Sequence, residues 1–249
     1  MNTILKSLGL MKKNSILVDL SSRHDLHTHQ ANFNDDGTCS IDEIISVGQA
    51  NKLSALGIVA HAHLVRPNAA EFVDYLKNIA TQLKIEGWLK VGIEADIINL
   101  NGSIDTVGFE EEEFDYVMAS MHYLPSKQDY QHADTRDISD TNAYDLITNT
   151  LVNAIRNPRV NILSHPFGYI YRNWHIELPL TYVEKIVRAA ADEWVGLDMG
   201  SIRYRIPSEY ELSILKICQA YATPLCLGSD AHRANNVGRI DYDFYKEFL

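Results

Sequence analysis

Seven short runs rich in apolar and β-branched residues, at 24–29, 55–61, 89–95, 115–122, 160–165, 195–199 and 224–230, alternate along the chain with stretches of helical period. Each run has the length of a strand, and turn residues bound it. Such alternation points to a parallel sheet, because a parallel neighbour is reached only through a crossover. At 249 residues the predicted closure is a single α/β domain, a barrel of about seven strands. An open doubly wound sheet is the alternative. Residues 1–22 read as an appended segment.

The helical stretches have their own signals. Ser40 to Glu43 is a capping box opening a helix to about Asn51. Residues 69–86 repeat apolar positions at Phe72, Val73, Leu76, Ile79, Ala80 and Leu83 with a helical period. Residues 140–156 and 180–194 behave alike, and Pro207-Ser208 with Glu211 predicts a second capping box for a helix to about Ala222. The acidic block 110–113 reads as a solvated loop or helix start.

In barrels of this kind the chemistry sits at the carboxyl ends of the strands. The unusual residues fall there. His27 and His29 end the first run, His61 the second, Glu94 the third, His122 the fourth and His165 the fifth. Asp198 lies near the end of the sixth, and Asp230 and His232 end the seventh.

Spacing sharpens the pattern. On a strand, positions i and i+2 share a face, so His27 and His29 can reach one ion, with Asp25 placed to orient an imidazole from behind. Asp36, in an Asp-Gly turn after that strand, is a candidate oxygen ligand. His61 is favoured over His63, which reads as a rim residue. Glu94 offers a carboxylate of the kind that bridges two ions, and Asp96 carries less weight. Taken singly, each motif also fits a hydrogen-bonded structural histidine, a turn or a salt bridge. Together, so many imidazoles and carboxylates at one barrel mouth require cations, since neighbouring carboxylates cannot all ionise unaided. Two or three divalent ions would satisfy them. Nitrogen and oxygen donors suit zinc, manganese or iron, and the sequence does not choose.

Composition narrows the setting. Lys plus Arg is 22 and Asp plus Glu is 33, a net charge of −11, which disfavours long nucleic acids as partners. An apolar share of 46% excludes a disordered chain. Cys39, Cys218 and Cys226 are odd in number with no C-x-x-C spacing, so free thiols in a reducing cytoplasm are expected. No stretch reads as a signal peptide or a membrane span.

The ordered series D-L-H-T-H, D-G-T-x-S, His61, G-I-E, S-M-H-Y-L, S-H-P and G-S-D-A-H resembles the PHP (polymerase and histidinol phosphatase) family across about residues 23–240. The resemblance implies a distorted, TIM-like (β/α)7 barrel over residues 23–249 with a trinuclear metal site. One ion would sit on His27, His29, Glu94 and Asp230, a second on Glu94, His122 and His165, and a third on Asp36, His61 and His232. Residues 114–124 and 224–238 look most like the histidinol-phosphate phosphatase branch. Arg172 and Arg203 resemble phosphate-binding arginines of that branch. Two departures stand out: Val59-Ala60-His61 replaces the usual T-D-H, and the D-G-T loop is commoner in general phosphoesterases.

The expected activity is therefore hydrolysis of a small phosphomonoester, with L-histidinol phosphate a candidate, by hydroxide held on metal. Asp230 or His232 would handle the proton, and Asp198 would support a ligand or meet a substrate amine. The alternatives are a phosphodiesterase or oligonucleotide exonuclease on the same site, and a non-catalytic metal-binding module.

Overall fold

The computed structural model describes residues 23–33, 35–106, 114–124, 140–201, 203 and 205–249. The appended segment 1–22 and the acidic block 110–113 lie outside them. Seven strands are present: β1 (His24–Thr28), β2 (Ala55–Ile58), β3 (Leu89–Asp96), β4 (Tyr116–Ser120), β5 (Ile162–Leu163), β6 (Gly196–Met199) and β7 (Leu225–Leu227). They pair in parallel and in chain order. Just past β1, His29 donates its backbone N–H to the Ala231 carbonyl at 2.8 Å, and Thr28 bridges Ala231. The edges therefore meet in a nearly closed barrel, not an open sheet.

Helices run between most of the strands: α1 (Ile41–Ala50), α2 (Ala62–Val65), α3 (Ala69–Leu83), α4 (Asp140–Ile155), α5 (Gly168–Trp174), α6 (Leu180–Glu193), α7 (Ser208–Tyr221) and α8 (Tyr242–Tyr245). The capping box forms as predicted: Ser40 and Glu43 satisfy each other's backbone N–H groups and start α1. The second one does not form. Pro207 occupies the N-cap of α7 with no side-chain cap bond. Ser208 is then already the first helical residue, one position too late to cap.

Two apolar layers result. Leu26, Tyr116, Met118, Ile162 and Cys226 pack as one buried cluster inside the barrel. Tyr116 fits there because Gly57 and Gly92 stand against it: a Cβ on either would lie 2.1 Å from its hydroxyl or 2.5 Å from its ring. Outside the strands, Phe72, Leu76, Ile147, Leu151 and Ile186 bury the helix faces completely, each worth roughly 1.5–3 kcal/mol.

The strands end earlier than the apolar runs. His61, His122, His165 and Asp230 stand in the loops beyond β2, β4, β5 and β7 instead of at the strand ends. Leaving the ladder frees the backbone to aim them. His165 (φ 29°) and Asp230 (φ 51°) take up left-handed conformations, a strain of about 1–3 kcal/mol each that is typical of functional sites.

Candidate metal centre

The site begins with a slip in β1. Asp25 pairs with Leu56 but Thr28 pairs with Ile58, so one extra residue is inserted between them. Such a bulge re-aims the side chains around it. Leu26 packs inside the barrel with Tyr116, yet His27, within the slip, and His29, beyond it, also turn inward to the mouth. Asp25 does not join them, contrary to the i, i+2 expectation. It accepts hydrogen bonds from the backbone N–H groups of Ser229 (2.9 Å), Gly238 (2.7 Å) and His27 (3.2 Å) and from the Ser229 hydroxyl (2.6 Å). Burial pushes its pKa up to about 6 against those donors. Asp25 thus ties β1 to the loop after β7 and orients no imidazole.

Other carboxylates do that work. His27 Nδ1 lies 2.8 Å from Asp198 Oδ2, His29 Nδ1 lies 3.0 Å from Asp35 Oδ2, and His122 Nδ1 lies 2.7 Å from Asp96 Oδ1. Each carboxylate fixes the proton on Nδ1 and leaves Nε2 to face the mouth, the usual support of a metal-binding histidine. Sequence reasoning passed over Asp35 and gave Asp96 little weight. The available signal was parity: Glu94 and Asp96 share one face of β3. The second Asp35 oxygen accepts the backbone N–H of His61 at 3.1 Å. Ala60 itself is buried and apolar.

The free nitrogens converge. His27 Nε2 and His29 Nε2 are 3.1 Å apart. Glu94, 2% exposed, lies among these nitrogens. Its Oε1 accepts from the hydroxyls of Ser120 and Ser164 and lies 3.1 Å from His165 Nε2 and 3.7 Å from His122 Nε2. Its Oε2 lies 3.1 Å from His61 Nδ1, 3.3 Å from His29 Nε2 and 3.5 Å from His27 Nε2, with no hydrogen-bond partner. Asp230 Oδ1 is 3.5 Å from the Nε2 atoms of both His27 and His29. Asp36, half exposed, reaches His232 Nε2 at 3.1 Å and His61 Nε2 at 3.5 Å.

Three sets bring their ligand atoms within 4.8 Å of one another: His29, Asp36, His61 and His232; His27, His29 and Asp230; and His27, Glu94 and His165. A buried carboxylate oxygen without a donor, facing imidazole nitrogens that crowd each other, calls for positive charge, which divalent cations supply.

The electrostatics agree. Burial disfavours the charged form of His29, but Asp35 and Glu94 outweigh it and raise its pKa to about 10. His27 is likewise driven well up by Glu94 and Asp230 against burial, and His122 up by Glu94 and Asp96 against burial. At His165 burial prevails, and its pKa falls. Without metal, protons must balance the carboxylates.

The remaining candidates sit around this core. Arg203 is exposed at the rim, with Nη1 3.2 Å from His232 Nδ1 and 3.9 Å from Asp230 Oδ2. Arg172 is exposed on α5, one turn after Tyr169, and does not line the opening over the cluster. Tyr169 does, stacking on His165 with ring centroids 5.4 Å apart. His63 is a rim residue as expected, 3.4 Å from Asp96. Among the described residues, no helix is long and apolar enough to cross a membrane.

The family model described as "PHP domain" matches residues 25–200. A "probable phosphatase" of Caldicellulosiruptor bescii is 24% identical over 208 residues, 81% of this chain and 77% of the relative. One from Acetivibrio thermocellus is 24% identical over 87% of this chain and 82% of the relative. Among solved structures, histidinol phosphate phosphatase from Lactococcus lactis, complexed with zinc, L-histidinol and phosphate, superposes with a TM-score of 0.69. That likeness covers 91% of this chain and 93% of that one at 17% identity, and shows the fold.

Proposed function

Because the chain belongs to the PHP domain family, a phosphatase by the descriptions of its relatives, we propose that it is a metal-dependent hydrolase of small phosphomonoesters working at a trinuclear centre. The observation that carries this reading is the unpartnered Glu94 Oε2 facing the crowded Nε2 atoms of His27 and His29. The residues that would hold the ions are His27, His29, Glu94 and Asp230; Glu94, His122 and His165; and Asp36, His61 and His232. Zinc, manganese and iron all suit these donors. When bound, such ions acidify water and offset charge on phosphoryl oxygens.

The chain's own residues supply the rest. Arg203, at the rim beside Asp230 and His232, is placed to hold a phosphoryl oxygen and to favour the charge that builds in the transition state. His232 or Asp230 manages the proton of the leaving alcohol. Tyr169, packed on His165, forms one wall and limits water access. Arg172 would contribute only if α5 turned it toward the opening. Cys39, Cys218 and Cys226 are free and buried, which supports a reducing cytoplasm.

The test is metal-replete protein on p-nitrophenyl phosphate, bis(p-nitrophenyl) phosphate and L-histidinol phosphate. p-Nitrophenyl phosphate should be cleaved in preference to the diester, and L-histidinol phosphate reads whether a cationic substrate is accepted. Preference for the diester would favour a phosphodiesterase, and no hydrolysis of any with metal bound would leave a non-catalytic module.

A further inference from the structure

The opening over the metal centre has a second lobe of about 550 Å³, within the range of small-ligand sites. Asp36, Arg203, Asp230 and His232 line both lobes, so the two adjoin. The second lobe adds Arg233 and Arg239. Three guanidinium groups therefore border one small space on a chain of net charge −11. Its lining carboxylates among the described residues are Asp36 and Asp230, both in the metal cluster. Among those residues the arginine ion pairs are Arg66 with Asp105 and Arg203 with Asp230, and Arg233 and Arg239 have none.

The loop that bears these arginines is held in place. Arg233 is extended ahead of a single 3-10 turn, Ala234–Asn236. Asn51 Nδ2 donates to the Val237 carbonyl at 2.7 Å, and the Gly238 N–H donates to Asp25 at 2.7 Å. Gly238, at φ 67°, permits the turn before Arg239. Arg233 and Arg239, held on this frame with no ion pair among the described residues, add positive charge beside Arg203, and an anion would be favoured there.

We propose that this lobe is a second anion subsite, and that the substrate is a small phosphomonoester bearing a further anionic group, a carboxylate or a second phosphate. The inference rests on the phosphatase reading of the adjoining centre. Arg233 and Arg239 clamp the additional group while the scissile phosphate sits over the metal ligands. A substrate with a cationic amine, such as L-histidinol phosphate, would meet the guanidinium groups instead and bind poorly.

Matched substrates test this on the metal-replete enzyme: glycerol 3-phosphate against 3-phosphoglycerate, and fructose 6-phosphate against fructose 1,6-bisphosphate. The doubly anionic member of at least one pair should have a kcat/KM about tenfold higher or more, chiefly through KM. Joint Arg233→Gln and Arg239→Gln substitution should remove the preference and leave p-nitrophenyl phosphate hydrolysis unchanged, and the matching lysine pair should keep part of it. Calorimetry with 3-phosphonopropionate and propylphosphonate reads binding without turnover, and the phosphonocarboxylate should bind about tenfold tighter. Equal binding of the two phosphonates together with equal kcat/KM within both substrate pairs would overturn the proposal. Failure to hydrolyse any monoester would overturn the phosphatase reading instead, while the phosphonate pair still decides the subsite.

Discussion

His27 and His29 aim their Nε2 atoms at each other across 3.1 Å, while Asp198 and Asp35 hold the opposite nitrogen of each ring. With both Nδ1 protons committed, two lone pairs face the same point, beside Glu94 and Asp230. A proton or a cation must lie between them.

The first prediction follows from that competition. In metal-free protein His29 has its pKa raised from 6.5 to about 10, because Asp35 and Glu94 outweigh the cost of burial. Its protonation therefore stabilises the fold fully below pH 6.5, and this contribution fades as pH rises through about 10. A metal ion replaces that proton, so binding releases protons and tightens as pH rises. Calorimetry of chelator-stripped protein with zinc, in buffers of different ionisation enthalpy, should show release of about one proton or more near pH 7. The rise in Tm on adding metal should be larger at about pH 8 than at about pH 6.

The supporting carboxylates can be tested apart from the ligands. Asp35→Asn and Asp198→Asn keep the size of each side chain but loosen control of the His29 and His27 tautomers. Metal affinity should fall about 10- to 100-fold in either variant, measured against a competing chelator. An unchanged affinity would show that neither carboxylate positions its imidazole.

Glu94 would serve two of the three proposed ions and lies 3.1 Å from His61 of the third, so Glu94→Gln should reduce bound metal by more than one ion per chain and lower kcat by about 10²-fold or more. His122→Ala removes a ligand from the rim of the cluster and should lose metal as well as activity. Elemental analysis of both variants checks this, and full occupancy in His122→Ala would contradict its assignment as a ligand.

Asp25 predicts a stability effect of different origin. Asp25→Ala leaves the N–H groups of Ser229 and Gly238 without their acceptor at the closure between β1 and the loop after β7. Each buried donor left unpaired costs about 1–3 kcal/mol, so chemical denaturation should show a loss of roughly 3 kcal/mol or more. Val117→Ala, on the outer face of β4, should cost much less.

The existence of the strands was legible because their apolar, β-branched composition repeats seven times, and the gathering of unusual residue types at one barrel mouth was legible because they follow the apolar runs one after another. What could not be read was backbone geometry on the scale of one residue. The bulge between Asp25 and Thr28 breaks period-2 parity inside a five-residue strand, which moved Asp25 away from His27 and left that role to Asp198. The same ambiguity made Asp36 stand out while its neighbour Asp35 holds His29. Pro207, not Ser208, occupies the N-cap of α7 because a helix start fixed by proline shifts the frame by one position. Arg233 and Arg239 passed unnoticed because an irregular loop has no period to reveal where its side chains gather.

The most direct test is p-nitrophenyl phosphate hydrolysis by chelator-stripped protein as zinc or manganese is titrated back. Activity should be absent at the start, rise with the ions bound and level off when the cluster is filled. Full activity in the stripped protein, or none with the cluster saturated, would contradict a phosphomonoesterase built on this metal centre.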